Sequence, residues 1–232
     1  MIVEDLKKLD YLKLSDEQIS KLNKYMEITL KENEHVNLTR NDTVDSFITK
    51  NILDSLLIVK HFDLNKKEIL DIGSGAGLPG IPLAIYYPKS KFVLLEPTFK
   101  RANFLAMVSD MLELNNVKVV AKRAEDYVKE GNYEKFDFVV SRAVSKLNML
   151  LELSIPFIKI GGSLIAYKGL NYQEEIDESK NALKVLNCSL TSVNEDILDF
   201  LNETRYCVAA TKNKATNRKY PRLYKDIKKR PL

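Results

Sequence analysis

The residues of this chain that are best placed for chemistry surround one glycine-rich run, ILDIGSGAGLPGIPLA (residues 69–84), which holds four of the chain's eight glycines. The run contains the frame Asp71-x-Gly73-x-Gly75-x-Gly77, in which the backbone can approach a ligand closely beside a carboxylate. An apolar stretch precedes the frame and a helical pattern follows it. A strand, a glycine turn and a helix in this order can hold a phosphate, a dinucleotide or a cofactor without phosphate.

Phosphate ligands fit the run poorly. A Walker A loop needs GxxxxGK[ST], and no lysine follows the last glycine of the run. The glycines do match the dinucleotide pattern GxGxxG, and Glu96 follows at the expected separation of about twenty residues. However, Pro79 and Pro82 flank Gly80 and remove two N–H donors that a pyrophosphate would use. A negative charge at Asp71 also favours a cation over a phosphate.

S-adenosylmethionine is a cofactor of the remaining kind, because it carries a sulfonium and an ammonium group and no phosphate. Glu96 ends the second predicted strand, where its carboxylate is expected to accept both ribose hydroxyls. Ala124 and Glu125 follow the third strand, where an amide and a carboxylate would meet the adenine edge. Glu125 is also typical of a helix start. Because these positions share the carboxyl edge of a sheet, the sequence predicts a methyl-donor site there.

The rest of the chain supplies the elements that position these residues. Five apolar runs with helical patterns between them predict a mostly parallel α/β sheet with helices on both faces. A long polar helix and a last strand follow. The predicted strands are residues 68–73, 91–97, 117–124, 136–142, 162–169 and 205–213, and the predicted helices of this part are 98–114, 146–158 and 172–186.

Two helices are predicted before the first strand. Ser15 and Gln18 form a capping box, and apolar residues follow at helical spacing. The pattern breaks at NLTRND and resumes over residues 44–59. Residues 1–64 are therefore predicted to form an N-terminal helical cap, and residues 65–232 the donor-binding domain with a basic C-terminal tail.

The tail is strongly basic although the net charge of the whole chain is only +4. Residues 212–232 contain nine Lys or Arg and one acid, a charge of +8, so the other 211 residues sum to −4. This asymmetry is expected where one edge meets a polyanion. A solvated terminus is the alternative, but the apolar residues between the charges favour a docked segment that offers stacking surfaces. They are Tyr220, Pro221, Leu223, Tyr224 and Ile227.

Other site classes find little support in the sequence. The two cysteines form no CxxC pair and predict ordinary thiols in a reducing cytoplasm. No apolar run approaches the roughly 18 residues that span a bilayer, and no cluster has metal-ligand spacing. The only histidines, His35 and His61, lie outside the loops that follow the strands. No general base is therefore predicted.

The order of motifs resembles that of the bacterial 16S ribosomal RNA guanine-N7 methyltransferases, also called glucose-inhibited division protein B. The motifs are NLTR, ILDSL, LDIGSGAGLPGIPLA, KRxxFL, SRA and YPRL, and the resemblance runs from Asn37 to the last residue. It implies a class I (Rossmann-like) methyltransferase fold, S-adenosylmethionine as cofactor, and methylation of a guanine in the 530 loop of 16S ribosomal RNA. The partner would be that RNA or the small ribosomal subunit.

The resemblance also implies site residues. Besides Asp71, Gly75, Gly77 and Glu96, the donor-binding positions would be Gly73, Leu78, Ala124, Glu125 and Arg142. Arg142 and Lys168 are the candidates for a role in catalysis. Guanine N7 has a lone pair and no proton to lose, so orientation would supply catalysis, worth about 7–11 kcal/mol. The candidates for RNA contact are Asn37, Arg123, Lys168, Arg205, Arg218, Lys219 and Arg222.

Three positions depart from the family pattern. Asn51 stands where the family usually has a histidine, which favours a structural role there. Pro97 follows Glu96 where a serine is common, and the tail lacks a glycine-proline turn after YPR. Three alternatives stay open: a methyltransferase of another RNA, a protein or a small molecule; a non-catalytic nucleic-acid-binding protein on the same fold; and, more remotely, a nicotinamide-dependent oxidoreductase.

Overall fold

The computed structural model describes residues 3–198 and 203–232. Within these ranges seven strands form one sheet of order β3-β2-β1-β4-β5-β7-β6. Strands β1 to β5 pair in parallel, while β7 is antiparallel to both of its neighbours. The predicted mostly parallel sheet is confirmed. The strands are β1 (Glu68–Ile72), β2 (Lys91–Leu95), β3 (Val117–Val120), β4 (Phe136–Arg142), β5 (Ile158–Lys168), β6 (Cys188–Leu198) and β7 (Glu203–Lys212).

Helices cover both faces of this sheet. The α-helices are α1 (Asp16–Val36), α2 (Val44–Phe47), α3 (Asp54–Leu56), α4 (Gly80–Tyr86), α5 (Phe99–Met111), α6 (Ala124–Tyr127), α7 (Leu147–Ser154), α8 (Tyr172–Glu178), α9 (Lys180–Val185) and α10 (Tyr224–Lys229). A π-helical turn, Ile48–Leu53, joins α2 to α3. The 3-10 turns in the described residues are Val3–Lys8, Leu57–Lys60, Val128–Glu130 and Ile155–Phe157.

The strand order reverses direction on the two sides of β1, which lies between β2 and β4. In open α/β sheets ligands bind at such a switch point, outside the carboxyl ends of the strands. Because β1 to β5 are parallel, their last residues share one edge of the sheet. The site described below lies along that edge.

Successive side chains of β1 point to opposite faces of the sheet, and each face has its own hydrophobic core. Ile69 packs with the N-terminal helices, α4 and α5, whereas the next residue, Leu70, packs with α6, α7 and α9. Both side chains are 0% exposed, as expected for a central parallel strand covered on both faces.

The N-terminal helices pack directly on the sheet. Both hydrogen bonds of the predicted capping box of Ser15 and Gln18 are present. The buried hydroxyl of Tyr25 donates to the carbonyl of Ala76, 2.9 Å away in the glycine turn. Residues of this region therefore share one core with the sheet and support the turn, while the boundary of the cap at residue 64 stays a prediction.

Several elements differ from the sequence prediction, and one of them is the predicted helix over residues 44–59, which divides into α2, the π-helical turn, α3 and a 3-10 turn. Strand β6 has no counterpart there, because it is a polar edge strand in which Ser, Thr and Asn alternate with few apolar residues. The predicted helix over residues 172–186 divides into α8 and α9 at Ser179, whose hydroxyl donates to the carbonyl of Glu175 at 2.6 Å. Such a bond competes with the helical backbone.

The C-terminal tail is docked, as its apolar residues predict. Ile227 of α10 is 0% exposed, and Tyr220 is also buried. Arg222 makes two side-chain hydrogen bonds to the fully buried carboxylate of Glu152, at 2.7 and 2.6 Å. Of the nine basic residues in the tail, Lys212 is buried and Arg222 is used in this pair, while the other seven are exposed.

No helix in residues 3–198 and 203–232 is long and apolar enough to cross a membrane. The two cysteines are free and buried, and burial raises the pKa of Cys188 to about 12. At neutral pH this thiol stays protonated and unreactive.

Candidate active site

The glycine turn follows β1 and adopts backbone angles that favour glycine. Gly73, Gly75 and Gly77 have φ values of +71°, +57° and +98°. The amide of Gly73 donates to the carbonyl of Leu95 at 2.8 Å, which ties the turn to the end of β2. A Cβ on Gly75 would meet nothing nearer than 3.9 Å, so this glycine faces open space. One side of the turn is thus hydrogen-bonded to the end of β2, and the other side is open.

The carboxylate of Asp71 lies beneath the turn. One oxygen accepts the amide of Gly80 at 3.0 Å, and the other is buried without a partner among the described residues. Asp71 is 0% exposed, and this burial raises the pKa of its carboxyl to about 7. A Cβ on Gly80 would lie 2.6 Å from the bonded oxygen, which explains the glycine there.

This placement differs from the expectation that Asp71 faces the ligand, since the residue lines neither cavity described below. It also supports the exclusion of a pyrophosphate. The first amide of α4 is the group that a pyrophosphate would use, and it already donates to Asp71.

Glu96 directly follows β2 and is almost fully buried at 3% exposure. One carboxylate oxygen accepts the amide of Gly75 and the other the amide of Thr98, both at 2.9 Å. Each carboxylate oxygen can accept a second hydrogen bond. The two amides therefore fix the orientation of Glu96 and leave it able to accept ribose hydroxyls.

A cavity of about 230 Å³ lies beside the turn, at the ends of β1, β2 and β3. Buried Glu125 stands at this cavity, and its carboxylate accepts the amide of Tyr224 at 3.1 Å. Most of the other walls are apolar, which suits a flat heteroaromatic ring with a carboxylate at its edge. The residues that line this cavity thus fit the adenosine part of S-adenosylmethionine. The lining residues are Ile72, Gly73, Leu95, Pro97, Lys122, Arg123, Ala124, Glu125, Val144, Leu153 and Tyr224.

A second cleft, of about 610 Å³, opens at the ends of β4 and β5. Val144 lines both cavities, so they meet at this residue. Gly73 packs against it, and a Cβ on Gly73 would lie 2.5 Å from a Val144 methyl group. A group bound in the smaller cavity therefore lies next to one bound in the larger cleft.

Arg142, the last residue of β4, reaches across this cleft to the N-terminal helices. Its guanidinium donates to the Asp54 carboxylate at 2.7 Å, to the Lys50 carbonyl at 2.8 Å and to the Asn51 side chain at 2.9 Å. Asn51 in turn donates to the hydroxyl of Thr39 at 3.2 Å. Asn51 lies in the π-helical turn, a feature frequent at functional sites, and its contacts favour the predicted structural role.

The other cations of the cleft are also paired. Asp54, 5% exposed, accepts Arg205 at 3.1 Å on the oxygen that Arg142 leaves free. Lys168, the last residue of β5, donates to Glu175 at 2.6 Å and to the Ser145 carbonyl at 2.9 Å. Arg205 also donates to the carboxylate of Glu203 at 2.6 Å. The predicted site residues Arg142, Lys168 and Arg205 thus come together, and each of them has a carboxylate partner.

Aromatic and apolar groups form the rim of the cleft. Tyr206 lines it and stacks on Tyr172, with ring centroids 4.0 Å apart and planes at 27°. Leu170, two positions before Tyr172 in sequence and next to the cleft residue Gly169, is 75% exposed. Sequence reasoning missed these residues as well as Asp54 and Tyr25. The signal available for Tyr206 was its position next to the candidate Arg205 in the last predicted strand.

The remaining candidates are more scattered. Asn37, Arg218 and Lys219 are exposed and line neither cavity. Leu78 is buried behind the turn, and Arg123 is exposed with its guanidinium 5.9 Å from the Tyr224 ring centroid. The pair with Glu152 favours a structural role for Arg222 over the predicted RNA contact.

No group of three or more His, Cys, Asp or Glu side chains in the described part of the chain is arranged to hold a metal ion. His61 hydrogen-bonds Asp196 at 2.8 Å, and neither it nor His35 lines the two cavities.

Comparison with known proteins identifies the family. Residues 18–199 match the family model GidB, described as rRNA small subunit methyltransferase G. The ribosomal RNA small subunit methyltransferase G of Fusobacterium nucleatum is 40% identical over 226 residues, covering 97% of both chains. That of Thermotoga maritima is 42% identical over 225 residues, covering 97% of this chain and 92% of its own.

Solved structures support the fold alone. The O-methyltransferase of Bacillus cereus in complex with SAH has a TM-score of 0.58 at 18% identity, covering 91% of this chain and 97% of that one. Fibrillarin of Aeropyrum pernix with natively bound S-adenosyl-L-methionine has a TM-score of 0.53 at 15% identity, covering 70% and 75%.

The open face of Gly75 predicts the effect of a side chain there. We expect Gly75→Val to abolish binding of S-adenosylhomocysteine in calorimetry, because the side chain would occupy the space in front of the turn. Gly131→Val is the matched control, since Gly131 also has a positive φ (+82°) and a Cβ there would meet no atom within 4 Å. It should lose similar stability, about 1–2 kcal/mol, and keep its affinity. Equal affinities in the two variants would contradict the site.

The raised pKa of Asp71 predicts a pH dependence of stability. Between its ordinary value of 3.8 and the folded value of about 7, the folded protein keeps a proton that the unfolded chain loses. The Asp71 contribution to the free energy of unfolding therefore falls as pH rises through this window and levels off above about pH 7. Asp71→Asn keeps an oxygen for the Gly80 amide and cannot titrate, so urea unfolding should show a weaker decline. An unchanged pH slope would show that Asp71 ionises normally.

Proposed function

This chain belongs to the GidB family, rRNA small subunit methyltransferase G, and we propose that it transfers a methyl group to N7 of a guanine in the 530 loop of 16S ribosomal RNA. It is an S-adenosylmethionine-dependent methyltransferase of small-subunit ribosomal RNA. The observation that carries the finer proposal is the meeting, at Val144, of an adenosine-sized cavity and a larger cleft with compensated charges.

The donor belongs in the smaller cavity. Glu96 would hold the ribose hydroxyls, Glu125 and Ala124 the adenine edge, and the backbone of Gly73 and Gly75 would lie against the methionine part. When bound, S-adenosylmethionine supplies an electrophilic methyl group on its sulfonium. The residues of the glycine turn would orient the cofactor, because hydrogen bonds from Gly75 to Glu96 and from Gly80 to Asp71 fix the turn and the start of α4.

The acceptor belongs in the larger cleft. Guanine N7 needs no base, which agrees with the absence of histidine from the residues that line the two cavities. Methylation at N7 makes the base cationic, and free cations in the cleft would oppose it. Here Asp54 pairs with Arg142, Glu203 with Arg205, and Glu175 with Lys168. The cleft can therefore accept a base that gains positive charge.

Recognition of the RNA would combine stacking and charge. Sequence-specific proteins splay bases out of single-stranded loops and stack them on aromatic side chains, and the Tyr172–Tyr206 pair offers such a surface beside the cleft. Exposed Arg123, Arg218 and Lys219 would contact phosphates, which position the substrate without reading its sequence. We place this reaction in the cytoplasm, where the ribosomal RNA would be met.

The direct test is methylation with radiolabelled S-adenosylmethionine. Small ribosomal subunits, and free 16S RNA, from cells that lack this gene would serve as acceptors, and subunits from normal cells as the control. We expect label at N7 of one 530-loop guanine in the first preparation and none in the control. Label elsewhere in the RNA, or on protein, would contradict the acceptor while leaving the donor site intact.

The aromatic rim predicts a separate effect on the acceptor. Tyr206→Leu should raise KM for the RNA substrate about tenfold, because base stacking on an aromatic ring is worth about 1–3 kcal/mol. Tyr206→Phe keeps the ring and should stay close to the original. The KM for S-adenosylmethionine should move in neither variant. Equal RNA KM values for Tyr206→Leu and Tyr206→Phe would remove Tyr206 from the acceptor site.

A further inference from the structure

One wall of the smaller cavity comes from the C-terminal tail, far along the chain from the glycine turn. Tyr224, the first residue of α10, lines this cavity together with Ala124 and Glu125. Its backbone amide donates to the Glu125 carboxylate at 3.1 Å. The tail thus meets the very carboxylate proposed to bind the adenine edge.

The position of Tyr224 is fixed from both sides. Before it, Arg222 forms a two-pronged ion pair with Glu152, whose carboxylate is 0% exposed. After it, Ile227 is fully buried in the core that also contains α6 and α7. The hydroxyl of Tyr133 adds a hydrogen bond to the Arg218 carbonyl at 3.0 Å. A segment held at several points can present a ring to a ligand at little further entropic cost.

The electrostatic surroundings of the ring also suit a stacked heteroaromatic ligand. The exposed guanidinium of Arg123 lies 5.9 Å from the ring centroid of Tyr224, within the range of a cation–π contact. The other walls of this cavity include the apolar side chains of Ile72, Leu95 and Pro97. A planar group in this cavity would therefore have both aliphatic groups and an aromatic ring available for contact.

We propose that Tyr224 stacks on the adenine of S-adenosylmethionine, so that the C-terminal tail is part of the donor site and determines donor affinity. The proposal rests on the donor placement proposed above. It assigns the basic tail a second role, because α10 presents Tyr224 to the cavity while Lys225, Lys228 and Lys229 of the same helix are exposed.

The chain contains no tryptophan, which permits a direct optical test. In Tyr224→Trp the introduced indole is the only one, and its fluorescence should change saturably as S-adenosylhomocysteine is added. Tyr86→Trp is the matched control, since Tyr86 ends α4 and lines neither cavity. Its emission should stay constant at the same ligand concentrations.

A second pair of variants measures the ring itself. By calorimetry, Tyr224→Ala should bind S-adenosylhomocysteine about tenfold more weakly, as expected for loss of one stacking partner, and Tyr224→Phe should bind close to the original. The backbone bond from residue 224 to Glu125 does not need the side chain, so α10 should stay docked in both. In methylation assays the KM for S-adenosylmethionine should rise, with the KM for small subunits unchanged.

The outcomes separate this inference from the proposed function. If the unmodified protein binds S-adenosylhomocysteine but Tyr224→Ala binds it equally well, or the Tyr224→Trp emission ignores a saturating ligand, the tail is not part of the donor site. If the unmodified protein binds no S-adenosylhomocysteine, the donor placement fails and this inference fails with it. A rise in KM for the subunits alone would instead make Tyr224 an RNA contact and overturn the proposal.

Discussion

The carboxylate of Asp71 accepts the Gly80 amide at 3.0 Å in a part of the core that is closed to solvent. Because this bond occupies the first amide of α4, the helix start is unavailable to a phosphate and the turn before it is free to hold another kind of ligand. Glu96 fixes the same turn through Gly75, and Tyr25 through Ala76. The smaller cavity lies beside this turn, and its shape therefore depends on buried polar groups that hydrogen-bond to the backbone of the turn.

Charge compensation governs the neighbouring cleft in a similar way. Arg142 and Arg205 approach each other only because Asp54, 5% exposed, accepts a hydrogen bond from each of them. Leaving the largely buried Arg142 without a carboxylate partner would be costly. Because the arginines are paired with carboxylates, they repel a base that becomes cationic less than free arginines would. The contacts that stabilise the cleft therefore also suit the proposed reaction. Arg142 additionally connects the end of β4 to Asn51 in the N-terminal helices.

The C-terminal tail contributes to both of the proposed binding functions, contact with RNA and contact with the methyl donor. Its exposed lysines and arginines suit a polyanion, while Tyr224 lines the cavity proposed for the methyl donor. If RNA binding changes the position of α10, it changes donor affinity as well, and linkage makes that coupling reciprocal. The Arg222–Glu152 pair limits such movement, because separating it would leave a buried carboxylate without its partner.

The mostly parallel sheet, the glycine turn and the docked tail followed from residue types at short spacing, and the family followed from the order of several short motifs along the chain. Strand β6 escaped prediction since an edge strand needs no apolar face. The roles of single charged residues depended on the tertiary structure, because their partners lie far away in the chain: Asp54 pairs with Arg142 across 88 positions and with Arg205 across 151. Likewise Glu152 and Arg222 are 70 positions apart, and Glu125 and Tyr224 are 99. The sequence shows which residues are cations, but only the fold decides whether a buried carboxylate lies close enough to pair with each of them.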